Sequence, residues 1–219
     1  MTHKTGLSTI AYQQIKTLIL ENKLKPGQFV NEAQLQELLG LGRTPVREAI
    51  LQLAENELIT IHPRKGIEIS RIMPKSIHDI FQVRILIEPE ILHTYFKELD
   101  KKHLMEFRAS FQKASSSDTL SLQDCIRLAD TDNQFHLAIV SSMGNQYTTR
   151  LMNTFVDKLT IIRSTVSAHS VGRLCISSNE HIEIIDSILT GEIDTACMKL
   201  KKHLEISYEE AVKTLMYTY

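Results

Sequence analysis

The chain has 219 residues, of which 42% are hydrophobic, and a formal net charge of −1 at neutral pH. A chain of this length can form one large domain or two small ones, each with a buried core. No stretch reaches the roughly eighteen uncharged apolar residues that a membrane helix needs, and the first residues lack the apolar run of a signal peptide, so we expect no association with a membrane. Cys125, Cys175 and Cys197 are widely spaced and form no CxxC pair, which argues against a disulfide framework and predicts a cytoplasmic location.

Charge and histidine are distributed unevenly along the chain. Residues 1–71 carry nine Lys and Arg against seven Asp and Glu, whereas the rest carries sixteen against nineteen. Seven of the nine histidines lie after residue 71. The charge difference is too small to indicate nucleic-acid binding, so that function has to be argued from local patterns. The histidines suggest a metal or pH-sensitive site in the second part.

Three amphipathic helices are predicted in the first part of the chain. They are expected over 8–22, over 32–39 and from Thr44 to about Asn56. The expected N-caps are Ser8, Asn31 and Thr44. Gly40 ends the second helix, and Pro45 suits the first position of the third. The residues expected to face inward from the last two helices are Leu35, Leu38, Leu39, Val46, Ile50, Leu51 and Leu53.

A hairpin follows these helices. In segments 58–62 and 66–70 isoleucines recur with a period of two, as in half-buried strands. Pro63-Arg64-Lys65 between them forms a tight basic tip. The order of helix, helix, turn, helix and hairpin predicts a winged helix-turn-helix over residues 1–72.

The third helix carries residue types that read DNA. In a helix-turn-helix the second helix of the pair enters the major groove with its N-terminal residues toward the bases. Arg43 and Arg47 are four residues apart and share a face, where each guanidinium can grip a guanine or a phosphate. Thr44 can donate to a phosphate, and the tip Arg64-Lys65-Gly66 can reach a flanking phosphate or the minor groove. The alternative is a solvated helix that carries two arginines.

Residues 73–219 show only helical signals. Helices are expected near 75–98, 101–115, 121–142, 146–169, 179–190 and 194–216. Pro89 should kink the first of them, because a proline inside a helix removes a hydrogen bond. The whole chain is therefore predicted to be mainly α, with an antiparallel all-helical bundle after the winged helix.

Three of the bundle helices carry histidine in their apolar stripes. Asp132 and His136 are spaced i, i+4 and share a face, while His181 and His203 lie in the stripes of two later helices. Nitrogen and carboxylate ligands without thiolate suit zinc, nickel, manganese or iron, and zinc is our first expectation. The alternative is that each histidine is separately buried or exposed.

Arg84 lies inside an apolar stripe of the first bundle helix. A buried guanidinium is seldom left without an anion. It either pairs with Glu88 on its own helix or, together with the metal, holds the carboxylate of an effector. The sequence leaves both open.

The stretch LKPGQFVNEAQLQELLGLGRTPVREAILQLAENELI and the segment HPRKGIEIS resemble the winged-helix domain of the GntR family of bacterial regulators. The most specific piece is GRTPVREA. The resemblance implies operator contacts by Arg43, Thr44, Arg47 and the wing at Gly66. Two positions depart from the family pattern. Gly42 stands where serine is usual, which removes one phosphate hydrogen bond, and Gln36 replaces a small residue at the packed turn.

The second part resembles the FCD-type effector domain of the FadR-like branch of that family. The resemblance rests on VRILIEPEIL, DNQFHLAIVSSMGN and NEHIEIIDSILTGEIDTACMKLKKHL. It implies that Asp132, His136, His181 and His203 bind the metal and that Arg84 faces the pocket. Arg163 and Asn179 are further candidates to line it, although Arg163 could be a surface cation and Asn179 a helix cap.

Three functional hypotheses follow from these patterns. The first is a ligand-controlled homodimeric transcription factor, a repressor, that reads a palindromic double-stranded operator and senses a small carboxylate. The second is a metalloenzyme with a DNA-binding domain, in which Glu180 would be the base. The third is a DNA-binding protein whose metal is purely structural.

Overall fold

The computed structural model describes residues 6–116, 121–169 and 171–218, with the side chains of 6–116, 121–163 and 173–214. These residues form two compact units that divide between Arg71 and Ile72. The elements of the first unit are α1 Leu7–Leu20, β1 Phe29–Val30, α2 Glu32–Leu39, α3 Arg43–Glu55, β2 Ile59–His62 and β3 Gly66–Ile69.

The helix ends of the first unit follow local capping chemistry. Asn31 and Gln34 form a reciprocal capping box at the start of α2, and Gly40 ends that helix in the left-handed conformation. The predicted caps Ser8 and Thr44 are wrong, because both residues already lie inside their helices, whose N-caps are Gly6 and Gly42. Pro45 remains tolerated there, since the first-turn amides of a helix have no intrahelical partner.

The wing is a three-stranded antiparallel sheet in the order β1-β3-β2. Strand β1 has only two residues and pairs Phe29 with Glu68, which is too short to leave a period-two pattern in the sequence. Gly66 opens β3 with a φ of 107°, and a Cβ there would lie 2.8 Å from the carbonyl oxygen of Val30. Glycine is therefore required at the end of the hairpin tip, where β1 approaches β3.

The core of the first unit joins the helices to the wing. Its buried side chains include Ala11, Ile15, Leu35, Val46, Ile50, Leu53, Ile67 and Ile69. Leu38 and Leu51 were expected to be inward but are 56% and 52% exposed. The short helix α2 buries Leu35 and half-buries Leu39, and α3 buries Val46, Ala49, Ile50 and Leu53, so Leu38 and Leu51 lie on the outer faces of their helices.

Every secondary-structure element among the described residues of the second unit is a helix. The helices are α4 Pro74–Tyr95, α5 Lys101–Ser115, α6 Leu122–Ser141, α7 Gln146–His169, α8 Val171–Thr190 and α9 Ile193–Thr218, with a short 3-10 helix Phe96–Glu98 after α4. α4 continues through Pro89. α8 begins eight residues before the predicted 179, and Asn179, a candidate cap of this helix, lies within it.

The helices pack in pairs around one core. α4 packs on α9, α5 on α8, and α6 on α7. Large apolar side chains such as Ile77, Phe111, Phe135, Ile139 and Ile184 fill the space between them. This core encloses a set of buried polar side chains from α4, α6, α8 and α9. Among the described helices, none combines the length and the apolar character that crossing a membrane requires.

Candidate metal centre and nucleic-acid interface

The predicted DNA-reading residues lie together at two exposed places of the first unit. Arg43, Thr44 and Arg47 occupy the first turns of α3 with exposed side chains. Arg64 and Lys65 are exposed at the hairpin tip, which Gly66 closes. The start of α3 and the tip of the wing are therefore both accessible to a partner.

Arg43 is oriented by the helix before it. Its Nε lies 3.2 Å from Oε1 of Glu32, and the same oxygen accepts a hydrogen bond from Gln36 at 3.2 Å. An ion pair this exposed contributes at most about 1 kcal/mol, so it limits the rotamers of Arg43 without withholding the side chain from DNA. The unusual Gln36 thus adds a polar contact to the turn.

Four buried side chains converge inside the helical unit. Asp132 and His136 project from α6, His181 from α8 and His203 from α9. Each offers one ligand atom, and these atoms all lie within 4.8 Å of one another. The structure therefore brings together the whole set of ligands that the sequence predicted.

The outer nitrogen of each histidine has an acceptor. Nδ1 of His136 lies 2.5 Å from Oε2 of Glu88, and Nδ1 of His203 lies 2.7 Å from Oε2 of Glu180. Nδ1 of His181 lies 2.7 Å from the carbonyl oxygen of Ser177. Carboxylate and carbonyl oxygens accept hydrogen bonds, so each ring carries its proton on Nδ1 and leaves Nε2 bare.

The bare nitrogens face one another, and this arrangement fits a cation. Nε2 of His136 and Nε2 of His181 are 3.3 Å apart, and Nε2 of His181 is 3.2 Å from Oδ1 of Asp132. Nε2 of His203 is buried and has no hydrogen-bond partner among the described residues. Lone pairs and a carboxylate directed at one point repel each other unless a positive charge lies between them. Three imidazoles and one carboxylate are a ligand set that divalent transition metals accept.

Burial prepares these groups for metal binding. It lowers the pKa of His136 to about 4 and the pKa of His203 to about 3, so both rings are neutral at pH 7. Burial raises the pKa of Asp132, but the positive charge of Arg163 leads the effects that outweigh it and hold that pKa well below its usual range. Neutral imidazole and ionised carboxylate are the forms that bind metal.

Arg84 is fully buried and pairs with Glu88, as one of the two sequence interpretations proposed. Its Nε lies 2.5 Å from Oε1 of Glu88, whose other oxygen accepts from His136. The two terminal nitrogens of Arg84 are buried and have no hydrogen-bond partner among the described residues. Burial raises the pKa of Glu88, but Arg84 and His136 together lower it to about 2, so the carboxylate is ionised.

A cavity opens beside this cluster. Asp132 and His181 of the cluster line it, together with Arg163. The apolar part of its wall consists of Phe81, Phe111, Leu128, Ala129, Leu159, Ile162, Leu174 and Ala211. Arg163 is no surface cation, because it forms an ion pair with Asp132 and donates to Oδ1 of Asn133. About 60 Å³ of the cavity is open to the centres of water-sized molecules.

The structure does not place Asn179 as we expected. Asn179 lies within α8 with an exposed side chain, so it neither caps the helix nor belongs to the residues that line the cavity. Arg84 also lies outside that lining set. Sequence reasoning did not find the polar partners of the histidines, Glu180 and the Ser177 carbonyl. Glu180 directly precedes His181, but its bond to His203 depends on the packing of α8 against α9.

Comparison with known proteins agrees with both halves of this structure. The family model described as FCD domain matches residues 79–206, and the model described as bacterial regulatory proteins, gntR family, matches residues 7–69. The chain belongs to the GntR family. It is a GntR transcriptional regulator with a winged-helix domain and an FCD effector domain.

Two curated relatives share most of their length with this GntR regulator. An HTH-type transcriptional regulator in an unstable DNA locus of Streptomyces ambofaciens is 26% identical, over 91% of this chain and 82% of the relative. The HTH-type transcriptional repressor NanR of Enterobacter sp. (strain 638) is 26% identical, over 90% of this chain and 82% of the relative. The relatives are regulators of transcription, and the metalloenzyme hypothesis finds no support in them.

Two solved structures share the fold. A GntR transcriptional regulator from Rhodococcus sp. RHA1 aligns with a TM-score of 0.74 and 19% identity, over 97% of this chain and 98% of the other. The Zn²⁺-bound FCD domain of the regulator TM0439 aligns with a TM-score of 0.55 and 24% identity, over 68% of this chain and all of the other. Glu180, the base of the metalloenzyme hypothesis, is poorly suited to that role in this GntR regulator. Arg173 and His203 both bind its carboxylate. Burial raises the pKa of Glu180, but these two partners lower it to about 2, so the carboxylate has little tendency to take up a proton.

Proposed function

We propose that this GntR regulator is a ligand-controlled repressor that binds a palindromic operator as a homodimer and senses a small organic acid in its FCD domain. The observation that carries the proposal is the convergence of Asp132, His136, His181 and His203 beside a cavity that Asp132 and His181 also line. A metal ion bound by this cluster would lie next to a cavity that can hold a small molecule. The repressor assignment is supported by the name of the NanR relative.

The metal is proposed to be zinc, bound by the three Nε2 atoms and by Asp132. The nitrogen-rich ligand set supports this choice, as does the Zn²⁺ named for the TM0439 domain. Nickel, manganese and iron remain the alternatives to be distinguished by analysis of the bound metal. When bound, such an ion supplies a Lewis-acidic position that attracts carboxylate oxygen.

The position of the cavity favours an effector-binding site over a purely structural one. Asp132 and His181 line both the ligand cluster and the cavity, so a small molecule in the cavity reaches the ligands directly. Arg163 adds a guanidinium that can bind a carboxylate. The apolar wall excludes water and strengthens these charge interactions.

Operator contacts are proposed for Arg43, Thr44 and Arg47 at the start of α3 and for Arg64, Lys65 and Gly66 at the wing. Their exposure and grouping support these roles. A two-fold dimer would present two such surfaces to two half-sites. An effector that binds the DNA-competent and the incompetent arrangements with different affinity shifts the balance between them.

The test combines metal analysis with DNA binding. The full chain, loaded with zinc, is used to select an operator from random DNA and is then titrated with a panel of short carboxylates. We expect one zinc per chain, a dimer on a palindromic site, and at least one carboxylate that weakens the complex by about tenfold or more. DNA binding that no carboxylate affects, together with unfolding of the FCD domain on metal removal, would favour the structural-metal alternative.

His181→Ala and His103→Ala form a matched pair for this test. His181 belongs to the buried cluster, whereas His103 lies exposed on α5 beside Glu106. We expect loss of zinc and of the carboxylate response in His181→Ala and neither loss in His103→Ala. Equal zinc content in the two variants would overturn the ligand assignment.

A further inference from the structure

Ser178 is a buried hydroxyl without a partner at the cavity wall. The residue is 1% exposed, and its Oγ has no hydrogen-bond partner among the described residues. Buried serines in helices commonly donate to the carbonyl four residues earlier, as Ser187 does to Glu183 on the same helix. Ser178 makes no such bond and lines the cavity instead. Buried polar groups are normally satisfied, so this hydroxyl points to a partner within the cavity.

The surroundings of Ser178 form a polar wall on one side of the cavity. Ser177 and Arg173 accompany it on α8, and Ser207 and Glu210 face the same space from α9. The two helices are joined by a short turn at Gly191 and pack against each other, so they run antiparallel. Moving back from His181 along α8 and forward from His203 along α9 therefore leads toward the same end of the bundle.

The spacing gives the distance between this wall and the metal ligands. Ser178 precedes His181 by three residues and Ser207 follows His203 by four, which corresponds to about 4.5 and 6 Å along the helix axes. An alkyl chain zigzags, so each bond of roughly 1.5 Å advances the chain by less than its length, and about three to five bonds cover this axial distance. Apolar side chains such as Phe111 and Leu159 also line the cavity.

The charges of the wall favour a neutral group over a second carboxylate. Arg173 forms a two-point ion pair with Glu180, with nitrogen-to-oxygen distances of 2.8 and 3.1 Å, so its charge is compensated. Glu210, the other charged residue of this wall, pairs with Lys213, whose Nζ lies 3.2 Å from its Oε1, so its charge is compensated as well. A neutral hydroxyl can accept from Ser178 without needing a counter-charge, whereas a second carboxylate would meet an arginine that is already paired with Glu180.

From this geometry we propose that Ser178 is a specificity-determining residue that hydrogen-bonds a hydroxyl of the effector. The effector is accordingly a hydroxycarboxylate whose hydroxyl lies about three to five carbon–carbon bonds from its carboxylate, with an apolar chain between the two groups. The carboxylate lies at the end of the cavity formed by Asp132, His181 and Arg163. This inference rests on the proposed binding of a carboxylate at that end.

The test compares acids that differ only in the hydroxyl. The zinc-loaded full chain is titrated calorimetrically with 4-hydroxybutanoate and butanoate, and with 6-hydroxyhexanoate and hexanoate. In at least one pair we expect the hydroxylated acid to bind about tenfold more tightly, as one neutral hydrogen bond allows. In Ser178→Ala that preference should fall to about onefold, with the affinity for the plain acid unchanged within about twofold. Ser187→Ala is the control, because its buried hydroxyl is already bonded, and it should keep the wild-type preference.

The outcomes separate this inference from the function on which it rests. Loss of an unsatisfied hydroxyl should leave the thermal stability of Ser178→Ala equal to or above that of the wild type, which verifies that the variant folds. Equal binding of both members of each pair by the wild type overturns the inference alone, as does a hydroxyl preference that survives in Ser178→Ala. Failure of all four acids to bind overturns the carboxylate proposal together with the inference.

Discussion

Helix α4 contains two ion pairs with the same spacing and opposite burial, and replacing their acids should have very different costs. Arg84 and Glu88 are both fully buried, whereas the side chains of Lys75 and Asp79 are 83% and 52% exposed. Glu88→Gln keeps the shape of the side chain but leaves a buried guanidinium without its counter-charge. We expect the free energy of unfolding of the helical unit to fall by about 3–5 kcal/mol. Asp79→Asn should lower it by only about 0.5 kcal/mol or less.

The measurement is urea unfolding of the metal-free full chain, followed by far-UV circular dichroism, with attention to the transition of the helical unit. The double variant Arg84→Met/Glu88→Gln removes both buried charges and keeps an amide oxygen for His136. It should recover at least half of the loss, because no unpaired charge remains. Equal costs for Glu88→Gln and Asp79→Asn, or a double variant no more stable than Glu88→Gln, would refute the reasoning.

Three further predictions follow from the site and the wing. In the zinc-loaded protein, Glu88→Gln should weaken zinc binding about 10- to 100-fold in a chelator competition, since it weakens the bond that orients His136; an unchanged affinity would contradict that role. Gly66→Ala should lower the free energy of unfolding of the first unit by about 1–3 kcal/mol, because the new Cβ strains the backbone and crowds Val30. Gly42→Ala is the control in the same unfolding assay and should cost about 1 kcal/mol or less, because the new Cβ lies in open space. Arg47→Ala should weaken operator binding about tenfold or more and reduce its salt dependence, while Lys102→Ala, an exposed lysine of the helical unit, should change neither.

The sequence predicts most of the fold because its periodic patterns are long. Helices α4 to α7 and α9 begin and end close to the positions that apolar periodicity and cap residues indicate. The pattern fails where the signal is short or ambiguous. Strand β1 has two residues, and Ser177-Ser178 resembles a helix boundary although the packing of α8 against α5 and α9 extends the helix through it.

The candidate site is predictable to the extent that its residues lie in inward stripes. Asp132 and His136 share a face by their spacing, and His181 and His203 follow from the stripes of their helices. Which nitrogen of each ring turns inward depends on partners from other helices, Glu88 for His136 and Glu180 for His203. The sequence also does not reveal that the Ser178 hydroxyl has no hydrogen-bond partner among the described residues, because that depends on the positions of its neighbours in the folded protein.

Glu88 binds two buried partners at once, which constrains how residues 84, 88 and 136 can change during evolution. One of its oxygens accepts from Arg84 and the other from His136, so a change at any of the three leaves a buried group without its partner. Loss of Arg84 alone would leave an uncompensated carboxylate, and loss of Glu88 alone an uncompensated guanidinium. Positions 84, 88 and 136 should therefore covary across related chains, with lineages that abandon the metal replacing all three by apolar residues.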